Sequence, residues 1–320
     1  MGIGFEEFDA EVYRTLKCRV RILDGRRGET AMRQNARGSG GEVGRHRVDA
    51  TPDMLDARGG ERYSQRVTNP LNPGQLAGKT ALVTGSSRGI GADTVRYFAE
   101  AGANVVVNYR NKAARAEKIV ADIQAAGGNA IAVGADLTDP ESVAALIGAA
   151  REAFGGIDIL VLNASGGMEA GMGEDYALTL NRDAQMNVVT QALPALNPGA
   201  RIVFITSHQA HFIHSTPTMP EYLPVALSKR AGEDALRGRI AEFDSAGIEF
   251  VVVSGDMIEG TITATLLERA NPGAIEARRE GAGKLYNVAE FAAEIARAAV
   301  EPVPADHTRL IGDTSDFGAV

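Results

Sequence analysis

The sequence predicts an α/β fold: one doubly wound parallel β-sheet with helices on both faces. Three observations carry that prediction. From Lys79 onward, short apolar, β-prone runs alternate with longer helix-like runs, as in strand–helix–strand units. The first such pair is joined by a glycine-rich turn, Thr84-Gly85-Ser86-Ser87-Arg88-Gly89-Ile90-Gly91. The other polar motifs fall at the carboxyl ends of the strand-like runs, where right-handed crossovers open a ligand crevice.

The elements follow in order. Residues 80–84 form the first strand and residues 91–102 the first helix. Residues 104–108, three valines between two asparagines, form the second strand. Residues 112–126 read as an amphipathic helix ended by Gly127-Gly128. The third strand spans 130–134, the next helix 140–154 and the fourth strand 157–162. Residues 175–196 are largely helical, stopped by Asn197-Pro198-Gly199. A fifth strand at 201–206, one long helix at 224–245 and a sixth strand at 249–253 follow, and 309–311 is a candidate seventh. No internal repeat is evident.

Length and composition bound the function. The 320 residues suffice for one large domain. The net charge of −8 argues against nucleic acid as a partner. The single cysteine, Cys18, cannot close an intrachain disulfide. No apolar run approaches the roughly 20 residues of a membrane span, and the start lacks the basic and apolar regions of a signal peptide. The cytoplasm is the expected location, with no membrane partner.

Residues 1–66 differ from the rest. They are rich in Arg and Gly, as in Arg37-Gly38-Ser39-Gly40-Gly41, and slightly basic where the remainder is acidic. Such a segment cannot bury enough apolar surface to offset its ordering entropy, so residues 1–72 are expected to be a disordered extension and 73–320 the folded domain. Alternative readings are a basic arm for a partner, or sequence upstream of a natural start at Val67, since bacteria can initiate at a GTG codon.

The glycine turn carries the first chemical hypothesis. Glycine lacks a Cβ, so it turns tightly and lets backbone approach an anion. The helix beyond offers free N–H groups and the positive end of its dipole. Gly85, Ser87, Arg88, Gly89, Ile90 and Gly91 are therefore a candidate phosphate site. The alternative is a glycine-rich turn that binds nothing. The spacing is Gly-x-x-x-Gly-x-Gly, and with the preceding Thr84 it resembles the short-chain dehydrogenase/reductase superfamily, whose members have a Rossmann fold. At the end of the second strand an acidic residue would accept from the ribose 2′-hydroxyl of NAD and repel a 2′-phosphate. Asn108-Tyr109-Arg110 stands there instead, and Arg88 and Arg110 can clamp a 2′-phosphate. NADP is expected over NAD, unless both arginines are merely solvated. Asp136-Leu137 resembles the family's Asp-Leu/Val pair, whose Asp accepts from the adenine amino group. Helix capping is the other reading for Asp136, a role open to Asp139 as well. Leu162-Asn163-Ala164-Ser165-Gly166 closes the fourth strand and resembles the family's Asn-Asn-Ala-Gly, with Leu162 and Ser165 as departures.

The resemblance implies hydride transfer between nicotinamide and a carbon, served by a Ser, a Tyr, a Lys and a helix Asn. Ser207 ends the fifth strand, Lys229 lies in Leu227-Ser228-Lys229-Arg230-Ala231, and Asn181 matches the helix Asn better than Asn187. The usual Tyr-x-x-x-Lys spacing points to position 225, which is Val225. The nearest tyrosine is Tyr222, seven residues before Lys229. Separations of four and seven return to nearly the same helix face. Pro224 is expected to open that helix, leaving Tyr222 just outside it. Tyr-x6-Lys resembles the NADPH-dependent enoyl-acyl-carrier-protein reductases, which Asn163-Ala164-Ser165 and Val253-Ser254-Gly255 also resemble. An inserted loop after Ser207 carries His208, His211 and His214, a second source of protons near neutral pH. Their spacing matches no zinc signature, so no metal is expected. The third possibility is that no residue supplies the proton.

Past the sixth strand, Ser254-Gly255-Asp256-Met257-Ile258-Glu259-Gly260-Thr261 replaces the family's Pro-Gly-x-x-x-Thr. Residues 257–286 are expected to form a mobile substrate lid. Its Arg269, Arg278 and Arg279 either meet an acidic carrier or a CoA phosphate, or make a solvated helix face. The resemblance also implies a homodimer or homotetramer paired through the helices near 175–196 and 224–245. The expected activity is NADP-dependent oxidoreduction of a carbonyl/alcohol pair, such as a ketone or a 3-oxoacyl thioester. Enoyl-thioester reduction and a non-catalytic NADP-binding regulator are the alternatives.

Overall fold

The computed structural model describes residues 67–168 and 175–318. The readings of residues 1–66 lie outside the described residues. Seven parallel strands are ordered β3-β2-β1-β4-β5-β6-β7. They are β1 (Thr80–Val83), β2 (Asn104–Tyr109), β3 (Asn129–Gly134), β4 (Ile157–Leu162), β5 (Leu196–Ser207), β6 (Glu249–Gly255) and β7 (Thr308–Ile311). Every residue of β1 and β4 is buried, which explains why they are apolar but for Thr80 and Asp158: a sheet covered on both faces has no polar side to alternate with. Side chains still alternate between layers. Val105 and Val107 join Phe98, Val203, Phe291 and Ile295 on one face, while Val106 joins Leu82, Leu146, Leu160 and Phe250 on the other. Each fully buried Leu or Phe contributes about 1.5–3 kcal/mol relative to exposure.

The helices are α1 (Gly89–Glu100), α2 (Ala113–Ala125), α3 (Pro140–Phe154), α4 (Tyr176–Leu178), α5 (Ala184–Ala192), α6 (His208–His211), α7 (Leu223–Arg237), α8 (Ile240–Ser245), α9 (Ile262–Ala270), α10 (Ala274–Ala282) and α11 (Val288–Ala298). Among the described residues, no helix is long and apolar enough to cross a membrane.

The structure adds to or corrects the sequence reading in five places. Residues 67–72 do not belong with the extension: Leu71 is buried, Asn69 donates to the Tyr97 carbonyl at 3.0 Å, and the Tyr97 hydroxyl donates to the Val67 carbonyl at 3.3 Å. The long helix at 224–245 is two helices, α7 and α8. The break falls at Gly238-Arg239, where glycine weakens the helix and α8 buries Phe243 against Phe250, ring centroids 5.7 Å apart. The helical stretch before β5 contains a π-helical turn, Thr179–Asp183, between α4 and α5. Asn197-Pro198-Gly199 lies inside the start of β5, and the register slips between Ile157 and Ile159 to absorb it. Helix α11 was not foreseen, although Asn287 and Glu290 close a capping box at its start and Phe291, Ala292 and Ile295 follow at helical spacing.

Strand order reverses at β1, which lies between β2 and β4. The crevice at their carboxyl ends is where such sheets take ligands, and the glycine turn stands there.

Candidate active site

The glycine turn is built to bring backbone close. Gly85 (φ +63°) and Gly89 (φ +55°) occupy the left-handed region that side chains resist. At Gly91 a Cβ would lie 2.6 Å from Asn163 Nδ2 and 2.8 Å from Ser86 Cα. Helix α1 starts beyond Arg88 with no side-chain cap and no acidic residue in its first turn. Its first amides therefore face the crevice without a protein acceptor side chain.

Two asparagines assigned to the cofactor from sequence are occupied in holding this turn. Buried Asn108 accepts from the Gly85 amide at 3.0 Å and donates to the carbonyls of Val133 (3.3 Å) and Ala135 (3.4 Å). Asn163 Nδ2 donates to the carbonyls of Thr84 (2.9 Å) and Gly85 (3.3 Å). Thr84 Oγ1 accepts from the amides of Asn163 (3.0 Å) and Ala164 (3.1 Å), so Ala164 packs directly on Gly85. The Tyr109 ring lies over Gly134, and Leu137 is buried in the core.

The charged candidates stand outside that brace. Arg88 is exposed, and its side chain makes no hydrogen bond or ion pair with any described residue. Arg110, also exposed, donates to the Tyr176 hydroxyl at 2.5 Å, with its guanidinium 5.9 Å from that ring's centroid. Capping of α3 falls to Asp139, which accepts from the Glu141 amide at 3.1 Å. Asp136 instead closes a turn, its Oδ1 accepting from the Thr138 amide (3.0 Å) and hydroxyl (2.7 Å).

A pocket opens at the carboxyl ends of β5 and β6. Ser207, Tyr222 and Lys229 share its wall with Thr261, Leu267 and Phe291. Ser207 Oγ and the Tyr222 hydroxyl are 3.0 Å apart. Tyr222 occupies the N-cap position of α7, with Pro224 in the first turn, and is 3% exposed. Burial pushes its phenol above the ordinary range, and the Ser207 hydrogen bond offsets part of that. Tyr222 is thus neutral and proton-bearing at neutral pH. Lys229, two turns along α7, is pulled down by desolvation to about 8, and its ammonium has no hydrogen-bond or ion-pair partner among the described residues. Asn181 lies behind this group, in the π-helical turn. Its Nδ2 donates to Ser228 Oγ and to the Gly166 carbonyl, both at 2.9 Å, and Ser228 donates to the Val225 carbonyl at 2.9 Å. The turn and α7 touch at Gly232, where a Cβ would sit 2.1 Å from the Asn181 carbonyl oxygen. Val225 is buried in the apolar cluster with Tyr222, Met257 and Leu267.

The histidines are turned elsewhere. His211 Nδ1 meets the buried Glu233 carboxylate at 2.8 Å, and His214 is exposed, 3.8 Å from Asp234. His208 is fully buried, hydrogen-bonded to Ser254 Oγ at 2.8 Å and set edge-on to Phe317. Among the described residues no cluster of His, Cys, Asp and Glu could hold a metal ion.

Burial lowers His208 from 6.5 to about 4. As pH falls below 6.5 the unfolded imidazole takes a proton that the folded one refuses until about 4. The stability His208 contributes is thus complete above 6.5 and lost on descending to 4, by about 3 kcal/mol. Urea unfolding at pH 7 and pH 4.5 is expected to show a smaller drop in His208→Gln than in the parent. An unchanged drop would contradict the burial account.

The lid arginines are not free. Arg278 pairs with Asp256 at 2.9 Å and also with Asp313 and Asp316, while Arg279 pairs with Glu259 and Glu276. The carrier or CoA-phosphate reading of these two residues therefore gives way to internal ion pairs that fasten α10, which has no buried residue of its own. Gln209, Asp256 and Phe291 also line the pocket, and sequence reasoning gave none of them a role.

Known proteins bear on this geometry. The short chain dehydrogenase family matches residues 79–271. The chain is 43% identical over 142 residues to a short chain dehydrogenase/reductase, AacuN, of Aspergillus aculeatus, covering 42% of this chain and 54% of that protein. It is 37% identical over 180 residues to a hydroxynaphthalene reductase of Aspergillus fumigatus, covering 54% of this chain and 63% of the relative. These matches thus span between half and two thirds of those relatives' lengths. A short chain dehydrogenase from Burkholderia cenocepacia, solved in complex with NADP, superposes with a TM-score of 0.64 at 30% identity, covering 77% of this chain and all of that one.

Proposed function

Because the chain belongs to the short-chain dehydrogenase/reductase family, we propose that it is an NADP-dependent oxidoreductase that reduces a ketone to an alcohol. The observation that carries this reading is the 3.0 Å contact between Ser207 and Tyr222 in one pocket wall with the unpartnered Lys229. The glycine turn, the open amides of α1 and the uncommitted Arg88 suit an anionic dinucleotide, and the NADP in the Burkholderia relative agrees. When bound, the nicotinamide supplies the hydride that reaches the carbonyl carbon.

This chain's residues do the rest. Ser207 and Tyr222 donate to the carbonyl oxygen, orienting it and stabilising the negative charge that develops there. Tyr222 gives its proton to that oxygen as the C–O π bond breaks. Lys229, cationic below about 8, binds the ribose hydroxyls and lowers the cost of the phenolate left behind. Asn181 reaches this group through Ser228 and fixes where α7 stands. The phenolate is reprotonated from solvent. Tyr222 thereby fills the role of the usual Tyr-x-x-x-Lys residue from one turn earlier.

The hydroxynaphthalene reductase relative supports a ring ketone over a 3-oxoacyl thioester as substrate. Leu223 and Leu227 of α7 are 40% and 48% exposed, which supports pairing of that helix in a homodimer or homotetramer. The cytoplasm is the location in keeping with the sequence. The expected outcome of titration with NADPH and NADH is at least about tenfold tighter binding of NADPH, a preference that Arg88→Ala erodes. Equal affinity for the two cofactors would remove the NADP assignment.

A further inference from the structure

Resting on the ketone-reductase reading, we infer that Gln209 selects among ketones by hydrogen-bonding a second polar group on the substrate, such as a ring hydroxyl. Gln209 borders the same pocket as Ser207 and Tyr222. It is half-buried, and its amide has no partner among the described residues. A primary amide offers two donors and an acceptor, and leaving them unmet in a partly desolvated site is costly.

The segment that carries it is held from every other side. Ser207 Oγ accepts from the Ala210 amide and so caps α6 at 3.3 Å. His208 is tied to Ser254 on β6 and His211 to Glu233 on α7. Arg230 donates to the His211 carbonyl at 2.7 Å, and Ala210 is fully buried. Three of the four side chains of α6 are thus committed to the protein, and the fourth meets the pocket. Thr206 also borders the pocket with an unpartnered hydroxyl, but that hydroxyl is fully buried, whereas the half-buried Gln209 amide is open to a ligand. The segment after β6 lines the pocket with Met257, Ile258, Ala264 and Leu267 and with two threonines, Thr261, whose hydroxyl is engaged by Ile258 and Ala264, and the exposed Thr263. The pocket's carboxylate, Asp256, is engaged by Arg278. A largely apolar wall with a placed, unpartnered amide is the arrangement that reads a polar substituent on an otherwise hydrophobic ligand. A substrate bearing that substituent satisfies the amide, and one lacking it covers the amide without pairing it. The ligand class is a bicyclic or larger ring ketone with a hydroxyl or second carbonyl on the ring.

The test compares 1-tetralone with a panel of ring-hydroxylated 1-tetralones under saturating NADPH. For the parent enzyme, kcat/KM is expected to favour at least one hydroxytetralone over 1-tetralone by about tenfold. In Gln209→Leu that ratio is expected to fall to near one, and Gln209→Glu, which keeps the acceptor and loses the donors, to retain part of it. Circular dichroism and thermal midpoints confirm that both variants are folded before the ratios are read. A parent enzyme that reduces the panel without preference overturns this inference alone, as does a ratio that Gln209→Leu leaves unchanged. An enzyme that binds NADPH and reduces none of the panel overturns the ketone reading and this inference together.

Discussion

Tyr222→Phe is expected to lower kcat by about a thousandfold while leaving NADPH affinity within about a factor of two. The substitution removes one oxygen and keeps the ring. The apolar contacts of Tyr222 with Val225, Met257 and Leu267 survive, so the fold should hold. What disappears is the proton-bearing group 3.0 Å from Ser207. The other candidates raised from the sequence do not replace it: Val225 has no acidic proton, His208 is tied to Ser254, and His211 is tied to Glu233. Steady-state rates with a ring ketone, beside a fluorescence titration of NADPH, measure both quantities. Retention of more than a tenth of the rate would take Tyr222 out of the reaction.

Gly91→Ala is the second large expected effect, and it acts on the cofactor side. A methyl group there would sit 2.8 Å from the Cα of Ser86 and 2.6 Å from Asn163 Nδ2. Ser86 Cα is backbone and cannot swing away. Asn163 cannot yield without losing its bonds to the carbonyls of Thr84 and Gly85. Relieving the contact therefore displaces the glycine turn itself. The expected cost is about 1–3 kcal/mol in urea unfolding and at least about a hundredfold in NADPH affinity, since amides shifted by an ångström no longer converge on a phosphate. Gly89→Ala is the comparison. That position has open space around it but a φ of +55°, so its cost is backbone strain alone, about 1 kcal/mol. Equal effects at the two positions would contradict the crowding argument.

The seven-stranded sheet was legible because strands buried on both faces leave uninterrupted apolar runs, and the helices between them leave amphipathic ones. The local geometry of the candidate site was legible where a motif fixes a shape, as at Gly85, Gly89 and Gly91. It was less so where residues meet only through the fold. Seven-residue spacing placed Tyr222 on the face of Lys229, but only folding of the inserted loop brings it against Ser207. Asn108 and Asn163 stood at the right strand ends for a cofactor, yet Asn108 Oδ1 and Asn163 Nδ2 are engaged by backbone groups of the turn they support. The charges of Arg278 and Arg279 were visible, but their partners lie as far away in sequence as Asp316 and Glu259. Helix α11 carries its own local signal in the capping box of Asn287 and Glu290.

The central claim is that the Ser207–Tyr222–Lys229 pocket directs a hydride to a carbonyl carbon. The most direct measurement is NMR analysis of the product formed from a ring ketone and NADPH carrying deuterium at the transferable position of its nicotinamide. The account expects deuterium on the carbinol carbon, delivered to one face, and none of this product from Tyr222→Phe beyond its residual rate. Deuterium at the β-carbon of an enoyl thioester, with ketones untouched, would replace ketone reduction by enoyl reduction. Tight NADPH binding with no deuterium transferred to either substrate class would contradict the claim outright.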